Sequence, residues 1–169
     1  MPKRKQKKYS RPKRPYDKER IQDEDSLVKK YGLKNKKEIW KAGAAIEKIR
    51  GQAKSLLTKS EKEQEKFMEK LKKSGFDVNS IADILSLNKE DYLKRRLQSI
   101  VVKKGLATTP RQARQFIVHK HISINKEIIN APSYIVPIET EGKIELLIAK
   151  KIKEDKKQMG FLKEPMKSK

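Results

Sequence analysis

Lysine and arginine number 44 against 22 aspartates and glutamates, and that imbalance limits what the chain can build before any motif is read. A formal net charge of +22 over 169 residues opposes compaction of the isolated protein. With 35% hydrophobic and 39% charged residues, the apolar share is low for one large core. Thin helical layers, basic tails and a stability that leans on a polyanionic partner are therefore expected. Nucleic acid is the first such partner to consider, and an anionic membrane surface the second. No stretch approaches the roughly 18 apolar residues of a spanning helix, and the basic N-terminus lacks the apolar region of a secretory signal. The chain has no cysteine, which excludes a disulfide framework, a thiolate metal site and a cysteine nucleophile, and it fits an intracellular compartment.

The tightest local signal runs from Gly105 to Ile122. Thr109 reads as a helix N-cap, Pro110 as the first helical residue, and Gln112 stands where it can close a capping box. Ala113, Phe116 and Ile117 fall at i, i+3 and i+4, so one face of a short helix is apolar. Arg111, Arg114, Gln115 and Lys120 are left for the other face or the helix end. A rigid helix with an apolar back and a guanidinium-bearing front suits a phosphate backbone, and no reaction chemistry is visible in it.

Residues 1–20 carry ten basic residues, among them Lys7, Lys8, Arg11 and Arg14, with three prolines and only Tyr9 and Tyr16 to anchor by packing. Alone this extension is expected to be disordered and to order on RNA. Ile21–Tyr31 reads as a short helix stopped by Gly32, and Asn35 with Glu38 as the capping box of the next. Ile39, Ala42, Ile46, Ile49, Ala53 and Leu56 repeat at spacings of three and four, the pattern of a packed seam. Trp40 flanks it and reads as a core anchor ahead of a base-stacking platform.

Ser60 and Glu63 mark a further capping box for a helix through Lys73 with Gly75 as its stop, and its many carboxylates read as a salt-bridged surface. Val78, Ile81, Ile84 and Leu85 form a small amphipathic turn. Asn88 is expected to cap one helix from Lys89 to Lys104, with Lys94, Arg95, Arg96, Lys103 and Lys104 projecting outward and Gly105 ending it. With the Thr109-capped helix it makes a helix–turn–helix-like pair. Strand-like sequence follows at 121–124 and 127–129 about a turn at Asn125-Lys126, where Lys126 would take positive φ. Ile135–Ile138 reads as a strand interrupted by Pro137, and Lys143–Ala149 as a final strand or helix start. Residues 150–169 are lysine-rich, with Phe161 and Leu162 as an apolar anchor.

Arg96-Leu97, Gly105-Leu106-Ala107, Arg111-Gln112-Ala113-Arg114-Gln115, Ile117, His119, His121-Ile122, Asn125 and Pro132-Ser133-Tyr134 resemble the signature of a small RNA-binding domain shared by many translation proteins, named after the fourth protein of the small ribosomal subunit. Lys7-Lys8-Tyr9, Pro12, Pro15, Asp17–Ile21 and the block Tyr31–Lys41 also resemble that ribosomal family in its archaeal and eukaryotic type. The resemblance implies a primary rRNA binder. It would sit at a junction in the five-prime domain of small-subunit rRNA, nucleate assembly of the subunit body, and lie near the fifth small-subunit protein and the mRNA entrance channel, in cytoplasmic ribosomes.

Carried onto this chain, the resemblance places RNA contacts at Arg96, Arg111, Arg114, Gln115, His119, Lys120, His121, Ser133 and Tyr134. Arg95 and the extension residues Lys7, Lys8, Arg11 and Arg14 complete the expected RNA-binding set. Glycine is common in the module where Lys120 and Lys126 stand here, and Lys120 adds a potential phosphate contact. His119 and His121, two residues apart without a cysteine, read as hydrogen-bonding groups ahead of a zinc site, their rings expected to point differently.

The fold expected is α+β: a basic extension (1–20), a helical domain (21–88), an RNA-binding module of two helices and short antiparallel strands (89–145), and a basic C-terminal segment (146–169). No cofactor, metal, membrane or small-molecule substrate is expected. Two competing readings use the same module: an RNA-modifying enzyme, and a free RNA-binding or chaperone factor. The helices before the module show neither a nucleotide-binding glycine loop nor a Ser/His/Asp arrangement, which argues against the enzyme.

Overall fold

Helix boundaries follow the caps and glycine stops, with departures where another partner, near or distant in sequence, claims a capping group. The computed structural model describes residues 9–147; Lys7, Lys8 and the Phe161-Leu162 anchor lie outside the described residues. The first helix, α1 (Lys18–Tyr31), starts earlier than the expected Ile21 because the Asp17 carboxylate accepts from the Arg20 amide. Part of the basic extension is thus helical. Gly32 closes α1 at φ +57°, a left-handed step that glycine takes without penalty.

The second helix, α2 (Lys37–Leu56), opens after Lys36 without a side-chain cap, so the Asn35 capping box does not form. The Glu38 amide bonds the Asn35 carbonyl oxygen at 3.1 Å, while the Glu38 carboxylate is drawn toward two arginines far along the chain. The third, α3 (Glu61–Lys73), likewise lacks the expected Ser60 side-chain cap, and Glu63 pairs with Lys59 instead. Helix α4 (Ile81–Ser86) has a complete capping box between Ser80 and Asp83.

The expected single helix 89–104 is two: α5 (Lys89–Lys94) and α6 (Leu97–Lys103). Arg96 breaks it in extended conformation, and the backbone of residues 134–136 docks on the break. The Leu97 amide donates to the Tyr134 carbonyl at 2.7 Å, and the Val136 amide to the Arg95 carbonyl at 3.2 Å. That docking also consumes the strand expected at 135–138, which reduces to one bridge, Arg96 with Ile135. Pro137 then stands at the N-cap of a short helix, α8 (Ile138–Glu141).

Between α6 and this segment lie α7 (Pro110–Val118), β1 (Ile122–Ile124) and β2 (Glu127–Ile128), and β3 (Ile144–Leu146) follows α8. The three strands form an antiparallel sheet in the order β2-β1-β3, with Ile124 opposite both Glu127 and Ile144. Asn125 and Lys126 make the two-residue turn at φ 52° and 72°, as the sequence required.

Three buried clusters hold these elements. Ile39, Ala42 and Leu93 pack with Tyr31 and Leu33, so α5 shares the core of the first two helices. Ile46, Ala53, Leu71, Val78 and Ile84 join the far half of α2 to α3 and α4. Leu97, Ile100, Val101, Ala113, Ile117 and Ile122 form the core of α6, α7 and the sheet. The α2 seam is therefore core, as its periodicity implied, and Trp40 packs partly buried beside it. Among the described residues no helix is long and apolar enough to cross a membrane.

Candidate nucleic-acid interface

Helix α7 is set up by its own first turn. The Thr109 hydroxyl oxygen accepts from the Gln112 amide at 3.2 Å, and the Gln112 side chain reaches back one residue further than a capping box requires. Its oxygen accepts from the Thr108 amide at 2.9 Å and from the Thr108 hydroxyl at 2.6 Å. Ala113 and Ile117 are fully buried on the back of the helix and Phe116 half-buried, while Arg111 and Gln115 are exposed on the front. The apolar back thus fixes the direction in which these two side chains leave the protein.

The C-terminal end of α7 carries His119 and Lys120, both exposed, and Lys120 takes the left-handed step at φ 61°. That step turns the chain into β1 without glycine. The His119 and His121 rings lie nearly parallel, 22° between planes and 6.1 Å between centroids, where divergent rings were expected. His121 meets Phe116 in a T-shaped contact with ring centroids 6.3 Å apart. No group of three or more metal-ligating side chains occurs among the described residues.

Ser133 and Tyr134 reach the same region by another route. The Tyr134 amide closes a turn on the Ala131 carbonyl, and both side chains remain exposed. Gln98 connects this turn to α7. Its amide donates to the Pro132 carbonyl, and its buried side-chain nitrogen donates to the carbonyls of Pro110, Gly32 and Tyr31 at 2.8, 3.0 and 3.1 Å. The last turn of α1 and the start of α7 therefore meet at the Gln98 side chain, and the 131–134 turn joins them through the Gln98 backbone amide.

The arginines expected to project outward divide into two groups. Arg111 is exposed and has no ion pair with a described residue. Arg95 and Arg96 do not project: the Arg95 guanidinium bonds Glu141 at 3.0 Å and the Val136 carbonyl at 2.7 Å, over Gly75. Arg96 is buried and bonds Glu38 at 2.7 Å, because the helix break turns its side chain inward. Arg114, half-buried, reaches the other Glu38 oxygen at 2.9 Å. Burial alone would raise the Glu38 carboxyl above its ordinary value, but hydrogen bonds and charge from Arg114 and Arg96 outweigh it and hold the carboxyl below.

In the extension, Arg11 and Arg14 are exposed. Tyr9 packs against Trp40 with centroids 6.1 Å apart, whereas Tyr16 is almost fully exposed. Gln98 was not singled out from the sequence, and Glu38 was read only as the capping partner of Asn35. Gln98 did leave a sign, a polar residue among Leu97, Ile100 and Val101 in an apolar helix.

Residues 95–141 match the model of the S4 domain, so the match starts at the helix break and ends with α8. Over 150 residues the chain is 47% identical to the small ribosomal subunit protein uS4 of Methanococcus aeolicus, covering 85% of each chain. It is 45% identical over 152 residues to the uS4 protein of Nanoarchaeum equitans, covering 85% of this chain and 84% of that one. The Saccharolobus islandicus uS4 protein is 44% identical over 159 residues, covering 90% and 88%. Each of these relatives is named a small ribosomal subunit protein. The chain belongs to the uS4 family of small ribosomal subunit proteins.

Proposed function

We propose that this protein is a structural constituent of the small ribosomal subunit that binds rRNA through the exposed front and C-terminal end of α7 together with the 131–134 turn. The observation that carries the reading is the exposed set Arg111, Gln115, His119 and Lys120 on a helix whose apolar back is locked into the S4-domain core. Arg111 and Lys120 supply charge for phosphates, and Gln115, His119, Ser133 and Tyr134 supply hydrogen bonds and a stacking surface. Such contacts position a protein on RNA, and A-form RNA hides its major groove. Specificity then comes from the shape of an RNA junction and its 2′-hydroxyls.

Arg95, Arg96 and Arg114 act one step behind this surface. Their charges are engaged by Glu141 and Glu38, so they hold the break between α5 and α6 and the start of α7 in register. Arg114, the least buried of the acceptor-sharing pair, borders the surface. The functional boundary lies near Arg95, since α5 packs with α1 and α2 while α6 opens the module's own core.

The finer role we propose is the one that the sequence resemblance implies. The protein binds early to the five-prime domain of small-subunit rRNA, nucleates assembly of the subunit body, and lies beside the fifth small-subunit protein near the mRNA entrance channel of cytoplasmic ribosomes. Sedimentation of native extract tests the placement. Co-migration with small subunits through a wash of roughly 0.5 M salt is expected of an integral protein, since isolated phosphate contacts weaken steeply with salt. Release to the free fraction at moderate salt would overturn it in favour of a visiting factor.

A further inference from the structure

Arg95 grips Val136 from both sides. Its carbonyl accepts from the Val136 amide at 3.2 Å, and its guanidinium donates to the Val136 carbonyl at 2.7 Å and to Glu141 at 3.0 Å. Val136 is fully buried in the core of the S4 domain. Two residues before it, the Tyr134 carbonyl accepts from the Leu97 amide at 2.7 Å. The exposed pair Ser133 and Tyr134 thus leaves the protein from a strip of backbone held at Leu97 and, twice, at Arg95.

The seat for this guanidinium lies outside the S4 domain, at the residue that ends α3. Gly75 takes the left-handed step at φ +86°, and a Cβ there would fall 2.5 Å from Arg95 Nη2 and closer still to Cζ and Nε. A helix stop asks only for the left-handed step, which is all that Gly105 supplies, since a Cβ at Gly105 would meet open space. Gly75 supplies close approach as well. Any side chain at 75 would push the guanidinium, the movable end of Arg95, away from Val136 and Glu141.

We propose that Arg95, seated on Gly75, is a positioning residue for the RNA-facing turn at 131–134 and touches no phosphate itself. Both terminal nitrogens already have acceptors, Nε is buried, and the side chain is only 14% exposed. Without the guanidinium, the Val136 carbonyl and Glu141 lose their shared donor, and the strip keeps only its backbone bonds to the helix break. A binding group works only when the residues behind it fix its place to within about 0.5 Å. The proposal rests on the RNA-binding reading and deepens it: the end of a helix outside the domain sets where Ser133 and Tyr134 stand.

Two variants of the full-length protein reach the contact by different routes. Arg95→Met keeps the stem and removes the guanidinium, and Gly75→Ala keeps Arg95 and removes its seat. In the free protein, hydrogen exchange at the Leu97 and Val136 amides should quicken about tenfold in both, with the α2 amides unchanged. Affinity for a five-prime-domain rRNA fragment should fall at least about threefold in both, with the slope of log K against log salt unchanged. Added to Tyr134→Ala, Arg95→Met should cost nothing further; added to Arg111→Ala, it should cost its full amount. A slope shallower by about one unit would make Arg95 a phosphate contact and overturn the proposal. Additive losses with Tyr134→Ala, unchanged exchange at Leu97 and Val136, or full affinity in Arg95→Met where Tyr134→Ala has lost it would do the same. Failure of the RNA-binding reading looks different: Tyr134→Ala and Arg111→Ala both bind with full affinity while exchange still quickens in Arg95→Met.

Discussion

Glu38 and Arg114 are 76 residues apart in sequence, and their side chains meet at 2.9 Å. The same carboxylate bonds Arg96 at 2.7 Å, so the start of α2 is pinned at once to the break before α6 and to α7. Gln98 reinforces the joint by tying the end of α1 to the start of α7. The helical part of the protein therefore holds α7 in a fixed orientation, which under the proposed function lowers the ordering cost of RNA binding.

Glu38→Gln removes the counter-charge of an arginine whose side chain is only 5% exposed. A loss of roughly 3 kcal/mol in urea unfolding at pH 7 is expected, because Arg96 is left buried and unpaired. The pH dependence has a definite sign. The folded carboxyl titrates below its ordinary value of 4.5, so the folded state binds fewer protons there than the unfolded chain. Its contribution is complete above that value and disappears as pH falls through the depressed one. The stability gap between the natural protein and Glu38→Gln should be widest near neutrality and close in acid. A gap independent of pH would mean the ion pair is not its source.

Gly32 and Gly105 separate backbone freedom from close approach. Both sit at positive φ, 57° and 71°. A Cβ at Gly32 would lie 2.8 Å from the Pro110 side chain and 3.0 Å from its carbonyl carbon, whereas at Gly105 it would meet open space. Gly105→Ala should cost about 1 kcal/mol, the ordinary left-handed penalty. Gly32→Ala should cost at least about 1 kcal/mol more, since α1 and α7 must part. Equal losses by chemical denaturation would show that the contact yields freely.

Lys126 and Lys120 take left-handed conformations at φ 72° and 61° without glycine's freedom. Lys126→Gly should stabilise the hairpin by about 1 kcal/mol, visible as a raised urea midpoint with an unchanged slope. Lys120→Gly should give a similar gain together with weaker RNA binding. A Lys120→Gly protein that gains stability and keeps full affinity would remove Lys120 from the interface.

Much of this was legible in local chemistry. Thr109-Pro110 marked α7, the three-and-four spacing from Ile39 to Ala53 marked a buried seam, and Gly32, Gly75 and Gly105 marked helix ends, all at positive φ. The largest misses share one cause, a partner distant in sequence, whereas the lost Ser60 cap and the early start of α1 are local, set by Lys59 and Asp17. Arg95 and Arg96 satisfy every local rule for continuing a helix, yet the backbone at 134–136 bonds there and splits it. Glu38 looked like the partner of Asn35 because nothing nearby reveals two arginines arriving from residues 96 and 114. An arginine's identity advertises charge; whether that charge faces solvent depends on where the chain returns.

The most direct measurement of the central claim is the salt dependence of binding to a five-prime-domain fragment of small-subunit rRNA, comparing the natural protein with Arg111→Ala. The exposed, unpaired guanidinium at the front of α7 should carry a phosphate contact. Affinity should fall, and the slope of log K against log salt should become shallower by about one unit. An unchanged affinity and slope would contradict the assignment of α7 as the RNA-binding face.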